Sequence, residues 1–278
     1  MNPLIRRLPA VILIAVLCAL CVPPASAQQA LDRSKVPPPG KAPELRVPTW
    51  TKATLANGME LFVSEKHDLP LVSFTLQWMG GTDQFEPANR RGVASLAASM
   101  LSEGTTTRDG EALSNALQML GTSVNAGVAG QDGSMGFVST TGKFAPTLGI
   151  LADMLLNSTF PAQALERLRA QRLVALNSQK AQPGAIASRV FPKVLYGTEH
   201  PFGQLITEET LKAITRDDVV AFHKTYFQPG RAAIVVVGDV TPAAAKATVE
   251  KALAGWPAAG SKPTFTYPPL PAKAPTTI

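Results

Sequence analysis

The order of the hydrophobic patterns along the chain most constrains its fold. Alternating patterns typical of strands come early, in two pairs that each flank a turn signal, and patterns of helical spacing dominate from residue 144 onward. Strands and helices that are segregated in this way, rather than strictly alternating, favour an α+β fold. We therefore predict one domain, residues 49–258, in which an antiparallel or mixed sheet packs against several helices.

The predicted strands are marked by turn residues. Asn57-Gly58, the dipeptide best suited to a type I′ turn, predicts a hairpin of residues 51–55 and 59–64. A second hairpin is predicted around Gly130-Gln-Asp-Gly133. The remaining predicted strands are residues 71–79 and a buried-type strand at residues 232–237.

The predicted helices have clear start and stop signals. Asp109, Thr215 and Thr241 are suited to cap helix N-termini, and Pro161 suits a first turn. Pro192 lies inside the last segment of a helical run, where a proline removes a hydrogen bond, so a bend or an interruption is expected there. The helices before residue 200 are predicted at residues 89–102, 109–120, 144–156, 161–179 and 186–196.

The amino terminus has the composition of an export signal. Arg6 and Arg7 precede an apolar run that is shorter than the roughly 20 residues of a membrane span, and Ala25-Ser26-Ala27 forms a cleavage site. We predict a signal peptide at residues 1–27, cleavage after Ala27 and a periplasmic mature protein without a membrane span. The alternative is an uncleaved anchor.

Both ends of the mature chain have the composition of linkers. Residues 28–48 are rich in Pro and Lys and are predicted to be a flexible tether. Residues 259–278 are rich in Pro, and their final Thr-Thr-Ile has the character of a strand that is beginning. This predicts a linker that either precedes a second domain or ends a one-domain form.

The charge and cysteine content exclude several classes of function. The net charge of +6 includes Arg6 and Arg7, and no block of basic residues interleaved with aromatics is present, so nucleic acid is not an expected partner. Cys18 and Cys21 both lie in the predicted signal peptide. The mature chain therefore has no thiol for a disulfide or a metal site.

Residues 55–105 resemble the amino-terminal signature of the insulinase/pitrilysin family of zinc metallopeptidases. That signature pairs an Asn-Gly hairpin with a Gly-rich bend and a helix that reads roughly G-L-A-H-F-L-E-H-M-L-F-x-G-T. The similarity continues, in family order, through the segments GTSVNA, LADMLLNSTF, EHPFGQ and YFQPGRAAIVVVGDV. The resemblance covers essentially residues 50–258 and implies the fold of one half-domain of this family.

The residues that would carry the family's chemistry are replaced. In H-x-x-E-H, two histidines on one helix face bind zinc and the glutamate acts as a base toward zinc-bound water. Here Ser95 and Ser99 stand at the histidine positions and Ala98 at the glutamate position. The family's third ligand is a glutamate on a later helix, and residues 167–182 contain no carboxylate. We therefore predict no catalytic residue, no bound metal and no cofactor in this chain.

No other chemistry is indicated by the remaining motifs. The three histidines, His67, His200 and His223, are isolated in sequence and are interpreted as ordinary surface or core residues. Ser95 and Ser99 lie on no Gly-x-Ser-x-Gly elbow, and small hydroxyls there most simply fill space.

The resemblance leaves three hypotheses for function. The first is a non-catalytic subunit that pairs with a homologue bearing H-x-x-E-H, where the zinc would be bound, and helps to form a peptide-binding chamber. In the family, peptides add as a strand to a sheet edge, and Asn125 and Ala126 lie in the corresponding segment. The alternatives are a structural or assembly protein that reuses the fold, and a peptidase described as zinc-dependent by similarity.

Overall fold

The computed structural model describes residues 47–270 together with Gly40. The predicted signal peptide lies outside the described residues, as does most of the predicted tether. Among the residues that are described, no helix is both long enough and apolar enough to cross a bilayer.

Six strands form one mixed sheet in the described part of the chain. The order is β1-β2-β6-β3-β5-β4, and every neighbouring pair is antiparallel except β2 with β6. The mixed sheet confirms the predicted α+β class. The strands are β1 (Thr51–Thr54), β2 (Glu60–Glu65), β3 (Leu71–Met79), β4 (Asn125–Ala129), β5 (Asp132–Thr140) and β6 (Ala232–Gly238).

The turn between β1 and β2 differs from the predicted type I′ turn. The N–H of Gly58 donates to the carbonyl of Leu55, and Gly58 has a φ of 85° while Asn57 has no positive φ. A type I′ turn needs positive φ at both central residues. The loop is therefore a type I-like turn followed by one left-handed glycine, because Met59 rather than Gly58 resumes the ladder.

Nine helices of the α class lie in the described residues. They are α1 (Thr82–Phe85), α2 (Val93–Met100), α3 (Gly110–Met119), α4 (Phe144–Leu156), α5 (Ala162–Gln179), α6 (Pro183–Tyr196), α7 (Glu208–Ala213), α8 (Arg216–Tyr226) and α9 (Pro242–Ala252). The predicted caps are confirmed, since the side chains of Asp109, Thr215 and Thr241 each accept a backbone N–H of the first turn.

Of the bend or interruption predicted at Pro192, the interruption is absent. Helix α6 begins at Pro183 and continues through Pro192 to Tyr196. A proline leaves the carbonyl four residues earlier, here that of Ser188, without its helical donor. Helix α6 has no buried residue, so water can reach that carbonyl and the helix persists.

The core lies between one face of the sheet and the helices. Along β3, Val72, Phe74, Leu76 and Trp78 are fully buried and alternate with partly exposed residues. Strand β6 alternates in the same way, so the prediction of a buried-type strand is wrong: Val235 and Val237 are each 39% exposed. The pairing of β6 with β2 and β3 occupies its two edges, and the face that carries Val235 and Val237 stays partly exposed.

Residues 257–270 follow α9 without regular secondary structure, yet two of their aromatic side chains pack against the domain. Phe265 contacts Phe85 edge to face. Tyr267 packs against His200 and Phe202, and its hydroxyl accepts a hydrogen bond of 2.7 Å from Gln84.

Candidate functional site

Helix α2 carries the degenerate motif and is fixed at its N-terminus by a buried carboxylate. Glu86 Oε1 accepts the N–H of Gly92 at 3.0 Å and that of Ala94 at 2.7 Å. Glu86 Oε2 lies 3.6 Å from a guanidinium nitrogen of buried Arg91. Helix α2 then packs against β4, α5 and α8, so its position relative to the sheet is set by the core.

The hydroxyls of Ser95 and Ser99 are turned back onto their own helix. Ser95 Oγ donates to the carbonyl of Gly92 at 3.0 Å, and Ser99 Oγ donates to that of Ser95 at 2.9 Å. Ala98 between them is buried and has no polar group. These three positions therefore offer neither an imidazole ligand nor a general base, and they do not fit a zinc ion.

Helix α5 corresponds to the helix from which the family takes its third ligand, and it places an arginine beside Ser99. Arg172 Nη2 donates to Ser99 Oγ at 3.2 Å, across 73 residues of sequence. The nearest carboxylate on the helix, Glu166, is exposed and pairs with Arg169. The sequence predicted the absence of a ligand but not this arginine, because the contact depends on how α5 crosses α2.

The sequence predicts that Ser95 and Ser99 fill space, yet Ser95 borders a cavity. A cavity of about 300 Å³ remains beside α2. We call it the α2–α5 cavity; its walls include Ser95, Arg172, Gln179, Arg189 and residues 128–130. The cavity therefore adjoins the end of strand β4.

The three histidines lie apart from this cavity and from one another. His67 is exposed, with Nδ1 2.7 Å from Asp239 and Nε2 3.2 Å from Glu65, and these hydrogen bonds raise the pKa of His67 above its ordinary value. His200 Nδ1 accepts the N–H of Phe202. Burial lowers the pKa of His223, whose Nε2 lies 2.8 Å from the carbonyl of Leu155.

Within residues 47–270, no group of three or more His, Cys, Asp or Glu side chains is arranged to hold a metal ion.

Strand β4, which contains Asn125 and Ala126, is an edge strand of the sheet. Its hairpin with β5 closes on a two-residue turn, with Ala129 opposite Asp132 and Ala126 opposite Met135. Because hydrogen-bonded and non-hydrogen-bonded pairs alternate from such a turn, the N–H and C=O of Ala126 and Val128 face the open edge. Asn125 instead directs its backbone toward β5.

Helix α6 presents an apolar surface that nothing in the described part of the chain covers. We call it the α6 face; its five large apolar side chains are between 44% and 61% exposed. They are Ile186, Val190, Phe191, Val194 and Leu195. Exposed apolar side chains that form one contiguous group typically mark a surface that interacts with another molecule.

Comparison with known sequences gives two family matches. The model of the insulinase family, peptidase family M16, matches residues 72–205. A second model, described as the peptidase M16 inactive domain, matches residues 213–278.

Three curated relatives are similar over most of this chain. The uncharacterized zinc protease YmxG of Bacillus subtilis is 25% identical over 76% of this chain and 53% of its own length. The probable mitochondrial-processing peptidase subunit beta of Arabidopsis thaliana is 28% identical over 72% of this chain and 36% of its own length. The non-peptidase homolog YmxG of Helicobacter pylori is 24% identical over 63% of this chain and 41% of its own length.

A solved structure has the same fold. The peptidase M16 inactive domain from Pseudomonas fluorescens superposes with a TM-score of 0.72 at 28% identity and covers 78% of this chain. The match spans 53% of that chain. The present chain thus spans about half the length, or less, of the proteins that it matches.

Proposed function

This chain belongs to the insulinase (M16) family of peptidases, and on that premise we propose that it is a non-catalytic member that binds extended peptides along strand β4. Any cleavage of those peptides would be performed by a homologous subunit that carries H-x-x-E-H and its zinc. The mature protein would act in the periplasm, following the export signal in residues 1–27.

The observation that carries the non-catalytic proposal is the state of helix α2. The hydroxyls of Ser95 and Ser99 donate to backbone carbonyls at the start of and within the same helix, and Ala98 has no group that could accept a proton. Zinc-dependent hydrolysis needs both a metal that lowers the pKa of bound water and a base that orients that water. The relative named a non-peptidase homolog, and the solved relative named an inactive domain, agree with this proposal.

Peptide binding is supported by the position of β4. The strand forms one edge of the sheet and packs against α2, so a peptide that paired with it would lie beside the former catalytic helix. Addition of a strand uses backbone hydrogen bonds and needs no special side chain. The loss of zinc ligands therefore leaves this mode of binding intact.

The partner proposal is supported by the α6 face. Five exposed apolar side chains on one helix are costly to leave in water, and a second subunit would cover them. The plant relative is itself named as a subunit of a processing peptidase. The same surface would serve an assembly protein, so the decisive observation is peptide binding at β4.

The test measures the binding of labelled extended peptides to the purified chain by fluorescence anisotropy. Ala126→Pro removes one N–H from the open edge, where proline is tolerated in the fold, and should abolish binding. Thr54→Pro makes the matched change on β1, the opposite edge, and should leave binding unchanged. Equal binding by both variants would refute the β4 assignment.

Two further measurements complete the test. Two peptides are methylated on alternate backbone nitrogens, one on the odd and one on the even residues. Only one of the two should lose binding, because every second residue of an added strand directs its N–H toward the neighbouring strand. Addition of an H-x-x-E-H homologue should produce cleavage that a chelator abolishes. Chelator-sensitive cleavage by the isolated chain would overturn the non-catalytic proposal.

A further inference from the structure

The α2–α5 cavity has an excess of positive charge. Arg172 and Arg189 both line it. Arg189 is held by neutral oxygens, because it donates to Gln179 Oε1 at 3.3 Å and to the carbonyl of Ile206 at 2.7 Å. Arg172 donates to the hydroxyl of Ser99. Within residues 47–270, neither guanidinium has a carboxylate within ion-pair distance.

The one acidic residue in the cavity wall does not neutralise these cations. Glu86 is already engaged by two backbone N–H groups and by Arg91, and its side chain is only 2% exposed. The other arginines near the start of α5 also have acidic partners: Arg167 pairs with Glu103, and Arg169 pairs with Glu166. Arg172, an exposed residue, is therefore the arginine of α5 that lines the cavity without an acidic partner.

We infer that the α2–α5 cavity binds a carboxylate of the peptide that pairs with β4. This inference rests on the proposed function, since the cavity wall includes residues 128–130 at the end of that strand. A guanidinium presents parallel N–H donors that match the two oxygens of a carboxylate. The volume of about 300 Å³ is sufficient for the side chain or the terminal residue of a bound peptide.

The charge that α5 offers would thus be opposite to the one that the family resemblance implies. The resemblance implies that active relatives take a zinc-ligating glutamate from this helix. Here a cationic arginine on the same helix would hold an anion supplied by the ligand. The carboxylate is either the C-terminal group of the peptide or the side chain of an aspartate or glutamate.

The experiment compares matched peptides on the full chain. In the first arm, one extended peptide is offered as the free acid and as the C-terminal amide. In the second arm, the amidated peptide carries aspartate or asparagine at successive positions. A charge-assisted hydrogen bond predicts an acid that binds about tenfold more tightly than its neutral match in one of the two arms.

Variants of α5 assign that preference to the cavity. Arg172→Gln should remove the tenfold preference while the neutral peptide binds as before, and Arg172→Lys should restore part of it. Arg167→Gln removes the same charge from an exposed position on the same helix and should leave the preference unchanged.

The outcomes separate this inference from the proposed function. Peptides that bind β4 equally well in acid and neutral forms, in both arms, would overturn the carboxylate site alone. A preference for the acid that persists in Arg172→Gln would also overturn it. The absence of any peptide binding would refute the proposed function, and the inference with it.

Discussion

Replacement of Glu86 by alanine should destabilise the protein through the helix that carries the degenerate motif. In the native structure its Oε1 satisfies the N–H groups of Gly92 and Ala94, in a position where the side chain is 2% exposed. Alanine would leave both donors without a partner and remove the carboxylate that faces Arg91. Water cannot replace the lost acceptor without opening the start of α2.

The magnitude follows from the two hydrogen bonds. A buried donor that loses its acceptor costs about 1–3 kcal/mol, so the loss of two should lower the free energy of unfolding of Glu86→Ala by about 2–6 kcal/mol. For a domain of this size, that corresponds to a fall in melting temperature of roughly 4–24 °C. Urea unfolding followed by tryptophan fluorescence measures it, because Trp78 is fully buried beneath the helices.

Glu86→Gln should recover most of this loss. The amide keeps an oxygen where Oε1 accepts both N–H groups. Burial raises the pKa of Glu86, which means that the folded state disfavours the ionised form. As a control, Glu208→Ala removes an exposed carboxylate that pairs with Lys180 and should change the unfolding midpoint little.

Two results would refute this reasoning. A Glu86→Ala variant within about 1 kcal/mol of the native protein would mean that the start of α2 is not sealed from water. A Glu86→Gln variant as unstable as Glu86→Ala would mean that the ion pair with Arg91, rather than the hydrogen bonds, holds this helix.

Two other predictions concern metal binding and pH. Zinc should leave the melting temperature unchanged. A zinc site in the folded state, at a zinc concentration of about one hundred times its Kd, would add about 2.7 kcal/mol to the stability. A stabilisation of that size that is lost on chelation would contradict the absence of ligands. The pKa of His67 is raised, chiefly by Asp239, so this interaction stabilises the fold at low pH and is lost as the pH rises through the raised value. Asp239→Asn should therefore lower the pKa of His67 measured by NMR titration, and should destabilise the protein more at about pH 5 than at about pH 8; an unchanged pKa would exclude this pairing.

Much of the fold could be predicted because the signals are local. Asp109, Thr215 and Thr241 act within one helical turn, so their residue types alone predict where α3, α8 and α9 begin. The replacement of the motif residues is equally local, since positions i and i+4 share a helix face wherever that helix packs.

The predictions that were wrong depended on surroundings. The Asn57-Gly58 turn adopts the geometry that the register of β1 and β2 allows, rather than the one that the dipeptide prefers in general. Pro192 is tolerated in α6 because that helix is exposed. The apolar strand β6 is only half covered, because the helices that bury the sheet pack on one face.

The sequence by itself determined the family resemblance, the α+β class and the replacement of the H-x-x-E-H residues, because each is written in residue types at short spacing. Only the tertiary structure decided that β4 is an edge strand, that Arg172 meets Ser99, and that a cavity lies beside α2 and α5. These features join residues that lie far apart in the chain. Their positions follow from how the helices pack on the sheet, and no local pattern records that packing.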